Sequence, residues 1–193
     1  RIRQEILASR SEQAWGNITI GETRHPDQVS FRGQLLVEVA SQMRLEPVDA
    51  LLTVVERDRL QTSAFFAGMS EANLWRILAE PYVMLGTDAS LRAPDGPFSA
   101  DYPHPRAYGA FPRFLRFVRE GHTVALPEAI RKCTSLPAGQ FDLQDRGVLA
   151  SGKAADVIVF DPATIADSAT YARPHSLASG IAVVIVNGVI TWE

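Results

Sequence analysis

The sequence predicts an α/β fold that is followed by a small, mostly β unit. Over residues 1 to about 137, segments with the spacing of helices are mixed with short runs that are typical of strands. After Leu136-Pro137-Ala138 the pattern changes, and two apolar runs flank an Asn187-Gly188 pair that suits a tight hairpin turn. We therefore divide the chain into an α/β part, residues 1–137, and a β part, residues 138–193.

The composition is that of an ordinary globular protein. The chain has 193 residues, 46% of them hydrophobic, and a formal net charge of −3; this mildly acidic balance argues against nucleic acid as a partner. No run of about 18 apolar residues occurs, so we expect no membrane span. A single cysteine excludes an internal disulfide and fits a reducing compartment, so we expect a cytoplasmic location.

Helices are predicted over much of the first 80 residues, where apolar side chains recur every three or four positions. Pro47 suits the first turn of one helix. Ser70 suits the N-cap of another helix, over 71–79, which Pro81 ends. The other predicted segments are a helix over 1–10, a strand over 15–20, a loop over 21–33 and a helix over 35–43.

A short apolar run over 82–85 predicts a buried parallel strand that ends at Gly86-Thr87-Asp88. A long loop over 89–106 follows, and ordered loops of this length are more often functional than not. Two helices come next, the second opened by Pro127 and running through Cys133. In the β part we expect strands over 147–149, 155–160, 181–186 and 189–191.

Asp88 and Arg106 are the candidate functional residues. A carboxylate directly after an apolar strand is typical of barrel enzymes, whose reacting groups lie at the carboxyl ends of parallel strands. Arg106 lies one loop later, and its planar guanidinium suits a carboxylate or another anion. The alternatives are a turn or N-cap aspartate for Asp88 and a structural salt bridge for Arg106.

Cys133 is a weaker candidate. It follows Ile130-Arg131-Lys132 on a predicted helix, where a buried or half-buried structural thiol is more common than a nucleophile.

Several blocks of the sequence resemble the D-aminoacylase (N-acyl-D-amino-acid deacylase) family of the amidohydrolase superfamily. The block Ala155-Asp156-Val157 with Val186-Asn187-Gly188 marks the superfamily, whereas the His104-Pro105-Arg106 block is narrower and marks the D-aminoacylases. The other matching blocks are Val83-Met84-Leu85-Gly86-Thr87-Asp88, Gly109-Ala110-Phe111-Pro112-Arg113, Thr134-Ser135-Leu136-Pro137-Ala138 and Arg146-Gly147-Val148-Leu149.

This resemblance implies the C-terminal portion of a (β/α)8 barrel with a helical insertion over about 21–80, followed by part of a small β-sandwich over 138–193. It also implies one or two zinc ions and hydrolysis of the amide of an N-acyl-D-amino acid. Asp88 matches the aspartate that binds or faces the metal-bound water, takes its proton and delivers a proton to the leaving amine. Arg106 matches the arginine that binds the substrate's α-carboxylate, and Ser30 is a candidate substrate contact. His104 matches a hydrogen-bonded loop histidine rather than a zinc ligand.

The chain departs from the family pattern because the family's histidine-rich zinc ligands are not in it. We expect them upstream of Arg1, in the remainder of a longer parent polypeptide, with Asp88 as a candidate further ligand. The isolated chain is then expected to be inactive. Two alternatives stay open: a cyclic amidase of the dihydroorotase or hydantoinase kind, which has no obvious use for the His-Pro-Arg block, and a non-catalytic binding or assembly module.

Overall fold

The computed structural model describes residues 1–193, and its internal contacts divide the chain into two units. Unit 1 comprises Arg1–Gly68, Leu91–Pro105 and Thr170–Ser176, and unit 2 comprises Met69–Ser90, Arg106–Ala169 and Leu177–Glu193. No helix in either unit combines the length and apolar character that crossing a membrane requires.

Unit 1 is a small helical unit with a two-stranded sheet. Its elements are α1 (Ile2–Ser9), β1 (Ile18–Ile20), α2 (Leu36–Met43), α3 (Pro47–Arg57) and β2 (Ala64–Phe66), with 3-10 helices at Glu12–Asn17, Pro26–Phe31 and Gly96–Ser99. The strands β1 and β2 are antiparallel, with Ile18 opposite Phe66. Side chains from β1, α2 and α3 form the apolar core of the unit, in which Ile20, Val39 and Val54 are fully buried.

Unit 2 combines four helices with a three-stranded antiparallel sheet. Its elements are α4 (Glu71–Ala79), α5 (Arg106–Arg119), α6 (Leu126–Cys133), α7 (Ser135–Gln140), β3 (Val157–Phe160), β4 (Ile181–Val186) and β5 (Val189–Trp192). The strand order in the sheet is β3-β4-β5. Leu78 of α4, Phe114 of α5 and Ala129 of α6 form the buried core that these three helices share.

Elements with strong local signals form as predicted. The Ser70 hydroxyl accepts a hydrogen bond from the Asn73 N–H at 3.3 Å, which satisfies one of the unpaired donors at the start of α4. Pro47 lies in the first turn of α3. Asn187 and Gly188 have φ angles of +51° and +78°, so both central residues of the β4-β5 hairpin adopt the left-handed conformation of a type I′ turn.

Two predicted strands are wrong. Residues 82–85 and 147–149 lie outside the sheets of the structure. The apolar run over 82–85 has no strand beside it, and side chains of α6 bind the backbone carbonyls of Pro81 and Val83 instead. At 147–149 the apolar side chains stay largely in solvent, and Leu149 is 78% exposed.

Smaller differences occur in unit 1. Trp15 belongs to a 3-10 helix, so the predicted strand over 15–20 shortens to β1, and the predicted loop over 21–33 contains the 3-10 helix Pro26–Phe31. The division at residue 137, the helical insertion, the barrel and the sandwich stay predictions.

The three chain segments of unit 1 meet at Gly33, which lies beside Tyr102 and Tyr171. Its φ of +78° lies in the left-handed region. A Cβ at this position would lie 2.6 Å from the backbone carbonyl carbon of Tyr171 and 2.7 Å from the Tyr102 hydroxyl. That hydroxyl donates a hydrogen bond of 2.5 Å to the Tyr171 carbonyl. Only glycine leaves room for this connection.

We expect Gly33→Ala to lower the free energy of unfolding by about 2–3 kcal/mol, because a methyl group would push against backbone and because alanine disfavours a positive φ. Urea unfolding of the protein measures the change. Gly16→Ala is the matched control, since a Cβ there meets nothing within 4 Å, and its effect is expected to stay within about 0.5 kcal/mol. Equal stability of the two variants would contradict the close approach.

Candidate active site

Asp88 lies in an unusual backbone conformation. Its φ is +46°, in the left-handed region that residues other than glycine seldom adopt. Next to it, the Thr87 hydroxyl accepts a hydrogen bond from the Ala89 N–H at 3.3 Å. The Asp88 side chain is 89% exposed, so its carboxylate is accessible to a reactant. The left-handed conformation, which aspartate enters more readily than most residues, thus occurs at a carboxylate that faces solvent.

Arg106 is the first residue of α5, and it contacts Asp88. The Arg106 Nη2 lies 2.8 Å from the Asp88 Oδ2. A cation at the N-terminal end of a helix is unfavourable because the peptide dipoles already make that end positive. A carboxylate beside Arg106 compensates both charges. The structure therefore brings together the two residues that the sequence singled out, and it places an anion on the guanidinium.

Contacts along α5 hold the helix against residues 165–167, which follow β3. Arg116 Nε donates to Asp167 Oδ1 at 2.9 Å, and Arg119 Nη1 donates to the Ile165 carbonyl at 2.6 Å. Burial acts to lower the pKa of Arg116, but the hydrogen bonds and charges of Asp167 and Glu120 together outweigh burial and keep that pKa above its ordinary value. Arg116 therefore stays charged, and its bond to Asp167 fixes the helix that carries Arg106.

The segment that leads to Asp88 is held by α6. Lys132 Nζ donates to the carbonyls of Glu80 and Val83, the second at 3.0 Å, and Arg131 Nη2 donates to the Pro81 carbonyl at 2.5 Å. Burial lowers the pKa of Lys132 below its ordinary value. The backbone before Asp88 thus receives hydrogen bonds from two adjacent side chains, besides the bond of 3.1 Å from the Val83 N–H to the Glu80 carbonyl, and none from a neighbouring strand.

Lys132 was not singled out from the sequence as a residue near the candidate site, although its spacing from apolar neighbours indicated a buried position. Ala129, Lys132 and Cys133 lie three and four positions apart, which puts them on one face of a helix. Ala129 is fully buried and Lys132 is 1% exposed. A lysine on the apolar face of a predicted helix is therefore the pattern that would have indicated it.

Cys133 is a structural thiol, as expected. It packs against the core of α4, α5 and α6. Burial raises the pKa of the Cys133 thiol to about 11. At neutral pH the group is thus protonated, and a thiol rather than a thiolate is a poor nucleophile.

His104 and Ser30 belong to unit 1. The His104 Nε2 lies 3.1 Å from the Tyr171 hydroxyl, and its ring meets Phe65 edge to face at 5.1 Å. His104 is therefore a hydrogen-bonded loop histidine, as predicted. Ser30 is exposed, and its carbonyl accepts a hydrogen bond from Gln34 Nε2 at 2.8 Å; a role in substrate binding stays a prediction for it.

The residues of the chain do not fit a zinc centre on their own. The structure contains no group of three or more histidine, cysteine, aspartate or glutamate side chains placed to hold a metal ion. Zinc sites in proteins take at least three such ligands. Asp88 could supply one carboxylate, and the other ligands would have to come from outside this chain.

Comparison with known proteins places these features in context. The model for the amidohydrolase family matches residues 12–192. The N-acyl-D-glutamate deacylase of Alcaligenes xylosoxydans xylosoxydans is 38% identical over 184 residues, which are 95% of this chain and 35% of that protein. The D-aminoacylase of the same organism is 41% identical over 131 residues, which are 67% of this chain and 26% of that protein.

A solved structure agrees. The N-acyl-D-glutamate deacylase from Bordetella bronchiseptica, in complex with zinc and a phosphonate that mimics the tetrahedral reaction intermediate, superposes with a TM-score of 0.75 at 34% identity. The match covers 93% of this chain and 35% of that protein. This chain thus spans about a third of the length of the first of these relatives and of the solved structure, and the resemblance to D-aminoacylases is confirmed. The chain belongs to the amidohydrolase family.

Proposed function

We propose that this chain is part of a zinc-dependent hydrolase that cleaves the amide of N-acyl-D-amino acids into a D-amino acid and a carboxylate. The observation that carries the proposal is the 2.8 Å approach of Arg106 Nη2 to Asp88 Oδ2, with the Asp88 backbone in the left-handed conformation. The deacylase names of the relatives support the same reaction.

The spacing of the two groups suits an amino-acid substrate. In an N-acyl amino acid the scissile amide nitrogen and the carboxylate carbon are bonded to the same Cα and lie about 2.5 Å apart. A substrate whose carboxylate is bound by Arg106 would therefore bring its amide within a few ångströms of Asp88. The exposed Asp88–Arg106 pair contributes little to stability in water, so a substrate carboxylate could take the place of Asp88 on the guanidinium at low cost.

Asp88 would then act as general base and general acid. Its carboxylate takes a proton from the attacking water as the water oxygen bonds to the amide carbon. The carbon–nitrogen bond breaks next, and Asp88 returns the proton to the departing amine. The exposed side chain of Asp88 can reach both atoms in turn because they belong to the same tetrahedral centre.

Arg106 would fix the substrate's stereocentre. Binding the α-carboxylate through charge-assisted hydrogen bonds restricts rotation of the substrate relative to the amide that reacts. With both its carboxylate and its amide held, a substrate directs its side chain differently in the two enantiomers, which is a basis for distinguishing the D form from the L form.

Zinc, as one or two ions, would be bound by the remainder of the parent polypeptide, with Asp88 as a candidate additional ligand. When bound, zinc lowers the pKa of a coordinated water towards neutrality. On this proposal residues 1–137 complete a (β/α)8 barrel with an insertion over about 21–80, residues 138–193 complete a β-sandwich, and the protein is cytoplasmic.

Asp88→Asn in the full-length protein is expected to lower kcat at least 100-fold, because the amide cannot accept the proton. Hydrolysis of N-acetyl-D-amino acids measures the loss, and the zinc content should change little. Asp142→Asn is the matched control, since Asp142 is also exposed and has a positive φ of 56°, and it should retain full activity. Normal turnover by Asp88→Asn would refute the role of Asp88.

Arg106→Ala is expected to raise KM about 10- to 100-fold, which is the loss of a charge-assisted contact with the substrate carboxylate. The ratio of D- to L-substrate hydrolysis should fall as well. Arg113→Ala, an exposed position on the same helix, serves as the control and should leave both quantities unchanged. If Arg106→Ala left both KM and the enantiomer ratio unaltered, the proposed role of Arg106 in binding the substrate carboxylate would be refuted.

A further inference from the structure

Lys132 is a buried cation whose hydrogen bonds go to backbone carbonyls. It is 1% exposed, and its Nζ donates to the carbonyls of Glu80 and Val83. Burying an ammonium group is costly, and an apolar residue of similar size at this position would avoid that cost. The position therefore calls for a reason beyond stability.

The carbonyls that Lys132 binds lie just before Asp88. Together with the bond from Arg131 to the Pro81 carbonyl, α6 supplies donors to three of the four carbonyls between Glu80 and Val83. No strand lies beside this segment, and its own backbone contributes a bond of 3.1 Å from the Val83 N–H to the Glu80 carbonyl. Lys132 therefore supplies hydrogen bonds of the kind that a neighbouring strand supplies in a sheet.

Few other contacts fix the approach to Asp88. Leu85 packs against the core of α4, α5 and α6. A Cβ at Gly86 would meet nothing within 4 Å, so close packing does not hold this residue. The bonds from Lys132 and Arg131 and the packing of Leu85 are thus the contacts that hold the segment upstream of Asp88 against the rest of unit 2.

We propose that Lys132 is a positioning residue for Asp88: by binding the Glu80 and Val83 carbonyls, it fixes the position of the Asp88 carboxylate. This inference rests on the proposed function of Asp88. It differs from a purely structural role because it predicts an effect on the chemical step. A shift of about 1 Å in a reacting group can cost 100-fold in rate, whereas substrate binding through Arg106 would be unaffected.

The test is Lys132→Met in the full-length protein, which keeps the aliphatic chain and removes the donors. We expect kcat to fall at least tenfold, KM to stay within about twofold, and amide hydrogen exchange over 82–88 to accelerate in the folded protein. Lys132→Arg, which keeps the charge and the donors, should recover most of kcat. Cys133→Ala, the adjacent core position on α6, is the matched control and should change neither kcat nor the exchange.

A folded Lys132→Met protein with unchanged kcat would overturn the proposal, as would a loss of kcat shared equally by Cys133→Ala. If Lys132→Met does not fold, Arg131→Gln decides, since Arg131 is partly exposed and binds only the adjacent Pro81 carbonyl of this segment. A fall in its kcat of about two- to fivefold at constant KM, with faster exchange over 82–88, supports anchoring by α6, and unchanged values contradict it.

The double variant separates this inference from the proposed function. If Lys132 acts through Asp88, adding Lys132→Met to Asp88→Asn should cause no further loss of kcat. An inactive Asp88→Asn with a fully active Lys132→Met refutes the positioning role alone. An active Asp88→Asn refutes both proposals.

Discussion

The apolar core that α4, α5 and α6 share is the constraint on which the candidate site depends. Phe114 brings α5 into this core and Ala129 brings α6 into it. Because α5 begins at Arg106 and α6 binds the carbonyls before Asp88, the core holds the backbone that carries the guanidinium and the segment that leads to the carboxylate. Close packing of the three helices thus limits how far these two parts of the backbone can move apart.

The elements that could be predicted are those whose signal is local. Ser70, Pro47 and the Asn187-Gly188 pair each favour a backbone conformation through their own chemistry, and α3, α4 and the β4-β5 hairpin form where these residues place them. The run over 82–85 fails for the opposite reason. A strand is defined by its hydrogen-bonded neighbour, and an apolar tetrapeptide carries no information on whether that neighbour is there.

The candidate site divides in the same way. Asp88 and Arg106 could be singled out by residue type, order and the motifs around them, but neither the left-handed φ of Asp88 nor its pairing with Arg106 is encoded in a local pattern. Contacts between residues that are distant along the chain depend on packing, and Lys132 shows this most clearly. Its place on an apolar helix face could be predicted from the sequence. The carbonyls that it binds lie 49 and 52 positions upstream, and no local pattern indicates them.

The chain passes between the two units five times, because unit 1 recruits Leu91–Pro105 and Thr170–Ser176 from later parts of the sequence. During synthesis, the core of unit 1 can collapse once α3 has left the ribosome, since its members all precede residue 55. The carbonyl of Tyr171, which Tyr102 binds over Gly33, emerges far later. The nascent loop that precedes Arg106 can therefore form this hydrogen bond only after nearly nine-tenths of these 193 residues have been translated.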